Sequence, residues 1–176
     1  MKTSAYILFA FLLLLNGCKK DSIRTSGSAT INNLRYNENS TYAVHGFSFS
    51  KASIVSTESQ PGPDITVDIN SNYLIFMSNN LNPSFFKYDE YTSEGLAGVA
   101  FRTLDLNAFT FSQPSAIGGP ILPNQIWIYK SGKDTYAKIR IISTKIEKRE
   151  NLGQMIDFGE CTFEWAYQPD GSLTFP

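Results

Sequence analysis

Two stretches near the end of the chain alternate so regularly that they leave little choice of fold. In residues 136–141, Ala137, Ile139 and Ile141 interleave with Tyr136, Lys138 and Arg140. In residues 159–168, Cys161, Phe163, Trp165 and Tyr167 fall on one parity, and Thr162, Glu164 and Ala166 on the other. Successive side chains of a strand point to opposite faces, so a period of two specifies half-buried antiparallel strands. The aromatic stripe is expected to form core and to carry Cys161 inside; a ligand-stacking platform is the alternative.

The same pattern, rich in β-branched and aromatic residues, marks candidate strands at 29–35, 42–50, 65–69, 73–78, 85–91, 99–106, 125–131, 135–146 and 159–168. Turn chemistry separates them: Pro61-Gly62-Pro63, Asn79-Asn80, Gly95, residues 131–134 and Pro169-Asp170-Gly171. The expected fold is mostly β: one antiparallel, sandwich-like meander over 29–176, with at most one or two short helices, at 104–108 or 149–156. Residues 112–124 hold three prolines and the pair Gly118-Gly119, which excludes a central strand. They read as a long loop, serving either shape recognition of an apolar ligand or a crossover across the end of a sheet.

The 176 residues are 42% hydrophobic and 14% aromatic, enough for one domain with a real core and unlike a disordered chain. A net charge of -1 argues against nucleic acid, whose phosphates need clustered, uncompensated Lys and Arg. The single His excludes sites needing two imidazoles, and two Cys exclude cysteine-rich zinc sites and disulfide frameworks.

The N-terminus carries a different signal. A basic start, Met1-Lys2-Thr3-Ser4, precedes eleven unbroken apolar residues, Ala5 to Leu15. As a helix these span about 16 Å, short of a bilayer core of about 30 Å. A basic start, a short apolar core and small residues describe a secretory signal peptide, here residues 1–17. Leu15-Asn16-Gly17-Cys18 resembles the bacterial lipobox, which implies cleavage before Cys18 and lipidation of Cys18. Cys161 is then left without an intrachain partner, and an unpaired thiol in an oxidising envelope is best buried. Residues 18–28 are small and polar and read as a lipidated, flexible tether. Within them Lys19-Lys20-Asp21 resembles the charged stretch of surface-exported lipoproteins of Bacteroidota. Asp21-Ser22-Ile23 matches a short O-glycosylation acceptor of the same bacteria, or is plain linker.

No hydrolase, phosphate-loop or zincin motif occurs. Asp89-Glu90 are neighbours on a strand, so their side chains diverge and do not form an acid–base pair. No enzymatic activity is expected. His45 has two readings: a partly exposed strand residue, or a weak candidate ligand for a metal or haem iron. As a haem ligand it needs Met77, Met155, a Tyr or water opposite it.

Three stretches together resemble the HmuY family of Bacteroidota haem-binding lipoproteins. The first, Ile126-Trp127-Ile128-Tyr129-Lys130-Ser131-Gly132-Lys133-Asp134-Thr135-Tyr136-Ala137-Lys138-Ile139-Arg140-Ile141, looks like that family's strand–turn–strand hairpin. The second, Thr162-Phe163-Glu164-Trp165-Ala166-Tyr167-Gln168-Pro169-Asp170-Gly171-Ser172, resembles its C-terminal aromatic strand. The third is Asp64-Ile65-Thr66-Val67. The resemblance covers chiefly the last third of the chain. It implies an outer-membrane, cell-surface lipoprotein that captures haem and passes it to a TonB-dependent outer-membrane receptor. The family's ligation uses two His from the middle of the chain. Between Ser78 and Gln154 this sequence has no His and no Met, so no ligand is carried over. Axial ligation is then non-standard or absent. The alternative is an accessory lipoprotein of the same fold that contacts glycan or an envelope protein.

Overall fold

The computed structural model describes residues 24–40, 42–78 and 82–175. The expected signal peptide, Cys18 and most of the expected tether lie outside the described residues. Among the described residues, ten strands form two antiparallel sheets. The first has the order β1 (Ser26–Asn32), β10 (Gln154–Gln168), β9 (Tyr136–Asn151), β8 (Gln125–Lys130), β6 (Phe85–Glu90). The second runs β3 (Ser53–Ser56), β2 (His45–Ser48), β4 (Ile65–Asn70), β5 (Tyr73–Ser78), β7 (Ile117–Gly118). The mostly-β, sandwich-like expectation is therefore met.

The alternation places the core. Phe163 of the first sheet meets Phe47 edge-on at 5.6 Å and Phe76 at 6.1 Å, both from the second sheet. Trp165 lies 5.1 Å from Phe47, and Phe49 stacks on Tyr167. Cys161 is free and buried within this cluster, and burial pushes its thiol well above the usual range. An aromatic pair in such geometry adds about 0.5–1.5 kcal/mol beyond the area it removes from water. The stripe on β10 is thus core and not a ligand platform.

The first sheet is buried on its other face as well. Phe86, Ile126, Ile128, Tyr136 and Ala166 pack beneath Phe101, Leu104 and Leu106. These covering residues come from helix α1 (Glu94–Thr103), its C-cap Leu104 and a 3-10 turn (Leu106–Ala108). The helix corrects the strand expected at 99–106. Val99, Phe101 and Thr103 carry strand propensity, but Ala97, Phe101 and Leu104 are buried at helical spacing, and Ser93 caps the helix by accepting from the Leu96 N–H. The 3-10 turn falls within the short helix expected at 104–108.

The helix considered at 149–156 is instead the tip of a long hairpin. Asn151 faces Gln154 across the two-residue turn Leu152-Gly153, both at positive φ (50° and 74°). Paired positive φ is the turn whose twist matches that of the strands it joins. β1 begins at Ser26, so residues 26–28, expected as tether, are strand. They pair with β10, Ser26 opposite Ala166. β3 and the two-residue β7 lie outside the expected strands.

Candidate functional site

Residues 109–119 cross the side of the sandwich between β6 of the first sheet and β5 of the second, and include β7. Ser115 exchanges backbone hydrogen bonds with Phe85, and the Ser78 N–H donates to the Ala116 carbonyl. Ile117 and Gly118 then pair with Met77 and Phe76. The Pro/Gly loop is therefore a crossover that stitches the two sheets together. Two glycines make the close approach possible. A Cβ on Gly119 would lie 2.6 Å from Ile75 Cγ2, and one on Gly118 3.0 Å from the Phe85 ring.

The crossing leaves clefts on either side of the segment. One, of about 400 Å³, is lined by Phe85, Phe86, Phe109 and Trp127, with Lys87 and Gln113 among its polar residues. A neighbour of about 380 Å³ shares Phe86 and is walled by Phe111 and Pro114, with Lys130 and Asp134 also lining it. Phe109 and Phe111 meet edge to face at 5.0 Å, and each also packs against Phe86. Clefts of this size suit small ligands, and the surface of the first is more polar than apolar, because Phe85, Phe86 and Trp127 are buried in the two cores and only half-buried Phe109 stands open among its aromatics.

The cations along these clefts are already engaged. Lys87 Nζ lies 2.7 Å from Glu90, and this donor, followed by the Gln125 amide, holds the Glu90 carboxyl below its usual range. Gln125 also accepts from the Trp127 indole N–H, 3.0 Å away, fixing the ring that lines the first cleft. Lys130 pairs with Asp134 at 2.9 Å. Asp89 and Glu90 diverge as expected, Glu90 taking up Lys87 and Gln125.

His45 lies elsewhere. It is exposed at the start of β2, opposite Ser56 of β3, with its ring 4.6 Å from that of Tyr36. The Tyr36 hydroxyl is hydrogen-bonded to Ser56 and donates to Glu58 at 2.9 Å. Met77, on β5 with β4 between it and β2, takes a long contact from the Tyr42 hydroxyl at 3.9 Å. Met155 is 69% exposed on the hairpin arm. The structure does not bring these three candidate ligands together, and none of them lines either cleft. Among the described residues no group of three or more His, Cys, Asp or Glu is placed to hold a metal ion.

Sequence reasoning singled out the loop and its Pro/Gly content but missed Phe109 and Phe111. Their signal was two aromatics two apart, directly before a proline-rich loop. No family model, curated protein or solved structure matches this chain.

Proposed function

We propose that this chain is a lipid-anchored binding protein of the bacterial outer membrane, displayed at the cell surface. In this reading its ligand is a flat, largely apolar molecule taken up in the cleft beneath residues 109–119. The observation that carries the reading is the cleft itself. Half-buried Phe109 and the edges of the otherwise buried Phe85, Phe86 and Trp127 line it, beside a loop pinned to both sheets. Aromatic walls on rigid strands offer contact area at little cost in conformational entropy.

Haem is the first ligand to test, from the resemblance of the C-terminal third. A tetrapyrrole suits aromatic walls, whereas the cleft lining supplies no His, Met or Cys. Capture would then rest on contact with Phe109 and the crossing segment, with no axial side chain from the cleft, and hand-over to a TonB-dependent receptor would need no ligand exchange at iron. The reading is of a binder, not an enzyme.

The test is titration of the purified protein with haemin, oxidised and reduced. A saturable Soret shift that weakens in Phe109→Ala and persists in His45→Ala supports the cleft. A shift lost in His45→Ala moves binding to the Tyr36–His45 corner. No saturable shift in either redox state removes haem and leaves the accessory reading, contact with glycan or an envelope protein.

A further inference from the structure

The hairpin of β9 and β10 outruns its neighbours. On one side of β9, strand β8 pairs only as far as Ile126 with Arg140, and the Asn124 N–H adds one bond to the Ile141 carbonyl. Among the described residues, no strand pairs with that side of β9 from Ser143 to Asn151. Ser143, Lys145, Ile146, Lys148 and Glu150 are exposed there.

The pairing also says which backbone groups face outward. The Asn33 N–H donates to the Gly159 carbonyl, so Gly159 is bonded away from β9. Its cross-strand partner, Ile146, therefore points its own N–H and C=O away from β10, towards the open edge. Thr144, Lys148 and Glu150 share that parity. An edge with free donors and acceptors is a template for another strand.

We propose that this edge pairs antiparallel with the same edge of a second copy of the chain, about a two-fold axis at Ile146. Two-fold antiparallel pairing of identical strands centres on one residue, so the four registers centred on residues 145 to 148, midway along the unpaired stretch, can be compared. Centring on Lys145 or Lys148 sets a lysine against itself. Centring on Glu147 opposes two glutamates and puts Lys145 against Arg149. Centring on Ile146 sets Ile146 against Ile146, Lys145 against Glu147, Thr144 against Lys148 and Ser143 against Arg149. This register alone among the four has no like-charge pair, and it places the exposed apolar side chain, 44% accessible, at the centre. Lys145 and Glu147 already pair at 2.9 Å within one copy, so the two copies together form a closed square of alternating charge. Charges that blunt an edge against arbitrary strands thus favour this one. The interface is isologous and closed, so it yields a dimer and not a fibre.

Single cysteines at 145, 146, 147 and 148 in the full-length chain, extracted in mild detergent and mildly oxidised, test the register. Directly opposed residues in such a pair lie about 5.5 Å apart between Cα atoms, within the span of a disulfide. The Ile146→Cys chain is expected to give the strongest reducible dimer, with the parent chain, which keeps Cys18 and Cys161, as background. Charge exchange provides the second arm, read as dimer mass by light scattering. Lys145→Glu places like charges in both symmetric pairs and is expected to weaken the dimer on the order of tenfold. Adding Glu147→Lys restores it. No dimer above background in any cysteine variant, a maximum at another position, or failure of the exchange to restore the dimer overturns the proposal.

Discussion

The Tyr129 hydroxyl donates a hydrogen bond to the Asp64 carboxylate, tying β8 of one sheet to the entry of β4 in the other. Asp64 also accepts from the Phe49 N–H at 2.7 Å, while its own N–H donates to the Phe47 carbonyl at 2.9 Å. One side chain thus fixes the end of β2, the start of β4 and the spacing of the two layers.

Burial raises the Asp64 pKa despite these hydrogen bonds. A carboxyl whose folded pKa lies above its unfolded value contributes stability that is complete below the unfolded pKa. That contribution is lost as pH rises through the folded pKa. Asp64→Asn removes this dependence. The stability of the parent relative to the variant is therefore expected to increase as pH falls from neutral towards 4. Urea unfolding of both proteins across that range measures the difference, which also cancels carboxylates common to the two, such as Glu90 and Glu147. A difference that moves the other way with pH contradicts the assignment.

The core offers a second comparison. Phe163 is fully buried and touches both layers, so Phe163→Ala leaves a cavity and is expected to cost about 3–5 kcal/mol. Trp165 is equally buried, but its indole N–H has no hydrogen-bond partner among the described residues. Such an orphan donor already carries a desolvation penalty of about 1–3 kcal/mol. Trp165→Phe removes that penalty along with part of the ring, so its net cost is expected to be well below that of Phe163→Ala. Denaturation midpoints of the two variants decide the order, and equal costs would show that the N–H finds a partner.

What was legible in the sequence follows from how local each cause is. The end of β10 carries its own period of two, β5 and β8 are short aliphatic and aromatic runs bounded by turn residues, and Tyr73–Ser78 coincides with its expected range. Helix α1 was masked because Gly95, Gly98 and Val99 dilute a stripe that only Ala97, Phe101 and Leu104 complete. The hairpin tip was masked because Lys145–Glu150 alternates charge instead of hydrophobicity, and its pairing rests on β10 across the turn. The cleft is less local still. Phe109 becomes a wall only because Ser115, Ile117 and Gly118 find partners in two different sheets, and loop sequence does not state such long-range pairing.

The turn of the hairpin carries a stabilisation that the natural residue forgoes. Leu152 adopts φ 50° and is exposed, so its side chain gains little there in return for the crowding of its Cβ. Asn tolerates this region and, followed by Gly, forms the preferred two-residue turn. Leu152→Asn is expected to stabilise the protein by up to about 1 kcal/mol. A thermal melt reads the gain. A loss would mean that the Leu152 side chain packs against something the turn presents it to, a partner chain included.

Gly119 links the fold to the cleft. An added methyl would overlap Ile75, whose side chain is buried on β5 and has little room to yield. Overpacking of this kind costs about 1–3 kcal/mol. The strain falls on the segment that bridges the sheets, so it is released most cheaply by parting the Ser115–Phe85 and Ala116–Ser78 hydrogen bonds. Gly119→Ala is therefore expected to speed hydrogen exchange at Ser78, Phe85 and Ser115 while leaving Ile139 and Phe163 protected. Because Phe109 and Gln113 line the cleft on the same segment, any ligand held there should bind more weakly in this variant. A uniform loss of protection through both sheets would instead mean that the crossover and the core unfold as one unit.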